Sequence, residues 1–345
     1  MLIVTDLIVH FKVFEGVARV LNGVSIRVAE GETVSLVGET GCGKSVTVKT
    51  ILRMLPVPPA RIVGGRIEYK GQDVLAMPEE ALYALRGREI ALIPQEPMSS
   101  LNPVFSVEDQ FTELIRWQGR HKVSWPHRLV KSFDGAEKQA AREKALALLE
   151  RVHIPDPLRV MKSYPVELSG GMRQRVLIAM ALAGDPELLI ADEPGTALDV
   201  TTQEQILQLM KERVEKQNLA VLYITHNLGV ARAMTERIYV MYAGEVVEEA
   251  LTRELFRAPR HPYTQGLMAS IPKLTGGEVV GIDGFIPDYV DPPPGCRFEP
   301  RCPYAMPECS QGRPSLIPVG PRHRVACFLY GQEQAPTGRE DSVSS

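Results

Sequence analysis

Residues 38–45, Gly38-Glu39-Thr40-Gly41-Cys42-Gly43-Lys44-Ser45, fit the pattern G-x-x-x-x-G-K-[ST]. The apolar run TVSLV leads directly into them, and a segment of helical character follows. Glycines at these positions let successive backbone N–H groups turn inward around phosphate oxygens, and a helix start adds a positive field. Lys44 then reaches the β- and γ-phosphates, and Ser45 offers its hydroxyl to Mg²⁺. Val46 completes the set of candidate nucleotide contacts. Cys42 reads as a small residue that fits the loop, since a redox switch needs a lowered thiol pKa. A guanine-reading N-K-x-D motif does not occur in the chain.

Further groups extend this chemistry. Leu168-Ser-Gly-Gly-Met-Arg-Gln-Arg175 places Ser169, Gly170 and Gly171 before the apolar stretch VLIAMALA. Their N–H groups make a second anion-binding helix start. One loop already serves the phosphates of this chain, so a second cradle makes sense if it serves the nucleotide of another subunit. Leu188-Leu-Ile-Ala-Asp192-Glu193 is a buried-strand pattern ending in two acids. Asp192 suits Mg²⁺, directly or through water, and Glu193 suits proton removal from an attacking water. Gln95 follows EIALIP and would reach Mg²⁺ or the lytic water; His226 follows VLYIT and would contact the γ-phosphate. Alone, a Gln or a His at a strand end says little. Their weight comes from their order along the chain.

The elements that must position these groups are legible in outline. Leu2 to Val9, Val24 to Val28 and Thr33 to Val37 read as strands, with a helix from about Lys44 to Leu55 stopped by Pro56, Pro58 and Pro59. Residues 96–185 turn helical and read as an insertion. Leu188 to Ala191 and Ala220 to Ile224 are continuous apolar runs, as buried parallel strands are. Between them Gln203 to Lys216 carries Ile206, Leu207, Met210 and Val214 at helical spacing. Interleaved strands and helices indicate an α/β sheet. The 345 residues suffice for one large domain and an appendage, or for two modest domains. A net charge of −3 gives no general attraction to nucleic acid. No apolar run approaches the roughly 18–20 residues that span a bilayer, so a membrane link is expected only through a partner. Composition shifts toward Pro and Gly after about Pro259, and the last dozen residues read as disordered.

In this order, with an LSGGMRQR match, residues 2–256 resemble the ATP-binding-cassette (ABC) family. The resemblance implies a P-loop ABC ATPase: a RecA-like mixed sheet, an antiparallel β region and a helical subdomain at about 96–185. It also implies ATP and Mg²⁺ as ligands. Two such domains would sandwich two ATPs. Lys44, Ser45, Gln95, Asp192, Glu193 and His226 would act on one, and Ser169, Gly170 and Gly171 on the partner's. Thr196-Ala-Leu-Asp199 resembles the loop through which the two sites communicate. Phe14, with Phe11 in reserve, is the candidate for stacking on adenine. Gly195 departs from the Ser or Thr that commonly follows Glu-Pro, which predicts a looser turn.

Residues 257–330 narrow the resemblance. LFRAPRHPYTQGLMASIP from residue 255, PPPGCRFEPRCPYAMPEC, and QEPMSSLNPV after Gln95 are similar to oligopeptide, dipeptide and nickel importers. The tail is poor in large apolar residues and needs a staple or a surface to lie on. Cys296, Cys302, Cys309 and Cys327 crowd there with spacings of 5, 6 and 17 residues, which leave the metal open. The importer resemblance implies a [4Fe–4S] cluster, with Zn²⁺ as runner-up, in a small irregular extension. It further implies a second ABC ATPase subunit (a paralogue), two transmembrane permease subunits and an extracytoplasmic peptide-binding protein, with this chain peripheral on the cytoplasmic face of the inner membrane. The alternatives are nickel import, or an ABC-type ATPase serving the ribosome or nucleic acid. Residues 117–131, WQGRHKVSWPHRLVK, read as a solvated insertion or a partner contact.

Overall fold

A computed structural model describes residues 1–119, 135–195, 200–271 and 281–331. The loop at 196–199, most of the basic insertion (120–134) and the terminal segment 332–345 lie outside the described residues.

Two sheets organise the chain. An antiparallel sheet in the order β2-β1-β4-β5 is built from β1 (Leu2–Val13), β2 (Gly16–Val28), β4 (Ala60–Tyr69) and β5 (Gln72–Asp73). Apolar residues alternate along β1 and β2, so that Leu2, Val4, Leu21 and Val24 fill one core face. The main sheet runs β11-β12-β10-β9-β3-β8-β7-β6. Its parallel centre is β3 (Thr33–Val37), β6 (Ile90–Ile93), β7 (Leu188–Asp192), β8 (Ala220–Thr225) and β9 (Arg237–Tyr242). Every residue of β3, β7 and β8 is buried, which is why their sequences are apolar without alternation.

Helix α1 (Lys44–Ile51) follows β3, and α2 (Glu79–Leu85) precedes β6. The expected end of α1 near Leu55 comes earlier. Arg53 turns into the left-handed region at φ 48° and breaks the helix before the prolines are reached. The helical insertion holds α3 (Val107–Gly119), α4 (Gly135–Arg151), α5 (Pro157–Lys162) and α6 (Gly170–Ala181). Phe111, Leu148, Val160 and Ile178 form its core, continuous with Ile93 and Ala191 of the sheet. Helix α7 (Val200–Gln217) and α8 (Leu228–Met234) flank β8, and Ile206 and Met210 are buried as their spacing predicts. Among the described residues no helix is long and apolar enough to cross a membrane.

The extension is less irregular than its composition predicts. After β10 (Glu245–Leu251), α9 (Thr252–Arg257), α10 (Pro262–Ala269) and α11 (Pro307–Gln311), the chain returns as β11 (Ile317–Gly320) and β12 (His323–Val325). β12 pairs antiparallel with β10, Glu249 opposite Arg324, so the tail extends the main sheet. The physical reason is the open edge that β10 would otherwise present. Glu248, fully buried on β10, accepts from the N–H groups of Arg260 and His261 and meets Nε2 of His323 at 2.7 Å. Tyr242, Tyr263 and Phe298 pack ring to ring at centroid distances of 4.6–5.5 Å. The tail therefore leans on the main domain, as a segment too poor for its own core must.

Candidate nucleotide site

The phosphate loop joins β3 to α1. A Cβ on Gly38 would strike the Met241 carbonyl, and one on Gly43, which caps α1 at φ 109°, would meet Leu21 and Met241 side chains within 3 Å. These two glycines are required by close approach and by backbone conformation. Lys44 is nearly buried, and its ammonium donates to the Gly38 and Glu39 carbonyls at 2.9 Å each. Cys42 is fully buried; burial pushes its thiol up, against the pull of Lys44. This matches its reading as a small packing residue.

Asp192 ends β7 and Glu193 follows it. Ser45 Oγ lies 3.5 Å from Asp192 Oδ1. Burial holds the Asp192 carboxyl above its usual range, partly offset by the Ser45 hydroxyl. A bound divalent cation would reverse that balance, and a hydroxyl beside a carboxylate is the hard-oxygen pair that Mg²⁺ takes alongside phosphates. Glu193 adopts φ 47°, a conformation rare for a non-glycine residue, and its N–H donates to Ile224 at 2.9 Å. The turn aims the carboxylate at two partners: Gln95 Nε2 at 3.2 Å from Oε2 and His226 Nδ1 at 3.0 Å from Oε1. His226 is itself fixed in a turn, where Asn227 donates to Thr225 Oγ1 and caps α8. Two residues picked from separate strand ends, Gln95 and His226, thus converge on the Glu193 carboxylate.

Gly195 does not need left-handed freedom. A Cβ there would overlap the Gln203 side chain at 2.8–3.0 Å, so the glycine leaves room for Gln203. This replaces the looser-turn expectation. The resulting cleft of about 200 Å³ is lined by Glu193, Gln203, Tyr223 and His226 among others.

Ser169 caps α6, its hydroxyl accepting from Met172 at 3.3 Å. Among the described residues, no hydrogen bond joins Ser169, Gly170 or Gly171 to residues 38–45 or 192–193. A strand–loop–helix phosphate cradle, an acid pair served by Gln and His, and a separate Ser-Gly-Gly helix start occupy one mixed α/β fold. The ABC transporter family matches residues 21–196. The chain belongs to that family.

This ATP-binding-cassette ATPase also matches, over residues 247–309, the oligopeptide/dipeptide transporter C-terminal region. It is 43% identical to the dipeptide transport ATP-binding protein DppD of Bacillus subtilis, covering 95% of this chain and 94% of that protein. It is 44% identical to the oligopeptide transport ATP-binding protein AppD of the same organism, covering 91% and 92%. The fold is similar to the dimeric post-hydrolysis state of the ATP-binding cassette MJ0796 bound to ADP and Pi, with TM-score 0.63 and 28% identity. That match covers 73% of this chain and 99% of the other.

The remaining candidates divide. Phe14 stands fully exposed at the β1–β2 turn, whereas Phe11 packs against the core of the antiparallel sheet. Glu39 faces outward: its N–H donates to the Tyr263 hydroxyl at 2.9 Å and its carboxylate pairs with Arg301 at 3.0 Å. Tyr289 donates to the Gly41 carbonyl at 2.8 Å. Sequence reasoning missed Tyr263, Tyr289 and Arg301, which lie more than 220 residues from the loop they touch. No local spacing signals such contacts.

In the tail, Cys309 is buried, and Cys296, Cys302 and Cys327 are half-buried. Burial pushes the Cys296 thiol up to about 12 and raises Cys302 and Cys327. Among the described residues no three His, Cys, Asp or Glu side chains are arranged to hold a metal ion. The donor chemistry suits soft-metal ligation, but the arrangement does not form a closed metal cage.

Proposed function

We propose that this ATPase powers import of di- or oligopeptides, working with a second cassette, two transmembrane permease subunits and an extracytoplasmic binding protein. Its place is then the cytoplasmic face of the inner membrane. The observation that carries this reading is the match of residues 247–309 to the oligopeptide/dipeptide transporter C-terminal region. The relatives named for dipeptide and oligopeptide transport support it along nearly the whole chain.

Within the site, Lys44 and the backbone N–H groups of residues 40–46 hold the nucleotide's phosphates. Ser45 and Asp192 hold Mg²⁺, which when bound neutralises developing phosphate charge, and Gln95 orients the attacking water or adds a ligand. Glu193 takes the water's proton; the strained turn at Glu193 keeps its carboxylate between Gln95 and His226. His226, half exposed, faces the γ-phosphate position. Ser169, Gly170 and Gly171 serve the nucleotide of the partner cassette, consistent with their separation from this chain's own loop. Closure then depends on a phosphate that neither half-site holds well alone. Phe14 stacks on adenine. Val104, Phe105 and Trp117 are exposed, and Phe105 and Trp117 line a cleft of about 1040 Å³ downstream of Gln95 that suits a permease segment. Co-purification of tagged Glu193→Gln from native membranes with Mg-ATP tests the assembly. Recovery of a second cassette and two permease subunits is expected; recovery of ribosomal or DNA-bound complexes would overturn the transport reading.

The four tail cysteines are proposed to bind a [4Fe–4S] cluster, with zinc as the competing metal. The clustering of four cysteines within 32 residues of the extension, together with the match to the oligopeptide/dipeptide transporter C-terminal region, supports this reading. Anaerobic protein should be brown and Cys302→Ser bleached; a colourless protein with one zinc refutes iron.

A further inference from the structure

Three side chains of the C-terminal extension reach the phosphate loop. Tyr263 accepts the Glu39 N–H at 2.9 Å. Arg301 grips both Glu39 carboxylate oxygens, Nη1 at 3.0 Å and Nη2 at 3.3 Å. Tyr289 donates to the Gly41 carbonyl at 2.8 Å. Each of these groups is itself held. Arg301, only 6% exposed, also donates to the carbonyls of Asp283 and Ile282 and to the Tyr242 hydroxyl, with its guanidinium 5.6 Å from the Tyr242 ring centroid. Tyr263 is fully buried between Tyr242 and Phe298. The Tyr289 carbonyl accepts from the Arg19 N–H on β2.

The loop has a matching inner face. The Glu39 carbonyl accepts the Lys44 ammonium at 2.9 Å, so the residue gripped by the tail is also a partner of the phosphate-binding lysine. A bidentate guanidinium–carboxylate pair fixes orientation as well as distance. Glycines at 38, 41 and 43 leave the loop backbone free to move unless it is tied from outside.

We infer that the extension is a working part of the nucleotide site: Arg301, Tyr263 and Tyr289 are positioning residues that hold residues 39–41 in the conformation that receives phosphate. Nucleotide affinity in this chain therefore depends on a tail that touches no nucleotide. The inference rests on residues 38–45 being the phosphate site.

The test uses the full-length protein and equilibrium titration with a fluorescent ATP analogue. Arg301→Gln and Glu39→Gln should each weaken binding by about threefold to tenfold, and the double variant should be no weaker than the worse single. Arg301→Lys should restore part of the loss. Tyr289→Phe removes one hydroxyl and leaves the packing, so it serves if Arg301 variants fold poorly; about twofold weakening is expected. In the assembled transporter the KM for ATP should rise while kcat changes little. Unchanged affinity in both Arg301→Gln and Tyr289→Phe, even with a lowered melting temperature, would overturn the inference, as would multiplicative effects in the double variant. Lys44→Ala separates the two levels: if it still binds the analogue normally, the phosphate-loop reading itself fails.

Discussion

The C-terminal ends of β7 and β8 and the β10–β12 pair, two regions of the main sheet, both bury carboxylates, with opposite consequences. At the first, Asp192 and Glu193 stand at a strand end, are met by Ser45, Gln95 and His226, and open onto a cleft. At the second, Glu248 is sealed, its acceptors filled by two backbone N–H groups and a His323 ring nitrogen. Both are acids out of water. Only the first opens onto space for a ligand, and only it sits on a strained backbone at φ 47°. A sealed carboxylate makes an anchor, whereas one that borders a cleft makes a candidate site.

Glu193→Gln should break the catalytic region most sharply. The amide keeps the shape of the side chain and one acceptor oxygen, and loses the base. Phosphate release should fall by about 10²–10⁴-fold, with nucleotide binding retained. Stability should hardly change, because the carboxylate is not there to stabilise the fold. A variant that hydrolyses ATP at the normal rate would show that Gln95 and His226 frame some other base.

The anchoring region should respond the other way. Arg297, 3% exposed, donates to the Arg19 and Ala243 carbonyls and lies 3.7 Å from buried Glu245. Arg297→Met leaves Glu245 to Arg313 and Asn22 and removes the guanidinium donor from the Arg19 and Ala243 carbonyls. Unfolding free energy should drop by about 3 kcal/mol, read from the urea midpoint. Turnover per folded molecule should be affected less than its stability. A midpoint unchanged within error would mean that the extension is not fastened there.

Acid should loosen the same region. Burial holds His261 down at about 4 despite Glu248 beside it, and its Nδ1 caps α10 by accepting from Tyr263. The unfolded chain binds this proton from about pH 6.5 downward and the folded chain only near 4. The stability that neutral His261 provides is thus complete above about 6.5 and is lost as pH falls toward 4, up to about 3 kcal/mol. His261→Asn, which can still cap, should flatten the denaturation midpoint between those limits. An unaltered slope would assign the acid sensitivity to another group.

The two regions also differ in how far the sequence announces them. Each proposed catalytic group is the first or second residue after a buried strand, so apolar runs such as LLIAD and AVLYIT both predict the strand and place the group. Convergence of Gln95 and His226 on Glu193 then follows from parallel neighbours in register. The extension offers no such rule. Pro and Gly mask β11 and β12, and the Arg301–Glu39 pair spans 262 residues. Gly195 was legible as a departure, but its cause, the Gln203 side chain, required three dimensions.

Phe14 and Phe11 restate the contrast within one hairpin. They are three residues apart on β1 and its turn, and sequence does not separate them. Phe11 packs partly against the core opposite Ala18 and Ala60, while Phe14 is fully exposed. A stacking platform needs an open face, and a packing residue has none to spare. Phe14→Ala should weaken ATP binding by roughly tenfold, as loss of base stacking does, and leave the melting temperature alone. Phe11→Ala should lower the melting temperature and leave the affinity of the folded protein near normal. The reverse pattern would place adenine against Phe11 and require the hairpin to rearrange when nucleotide binds.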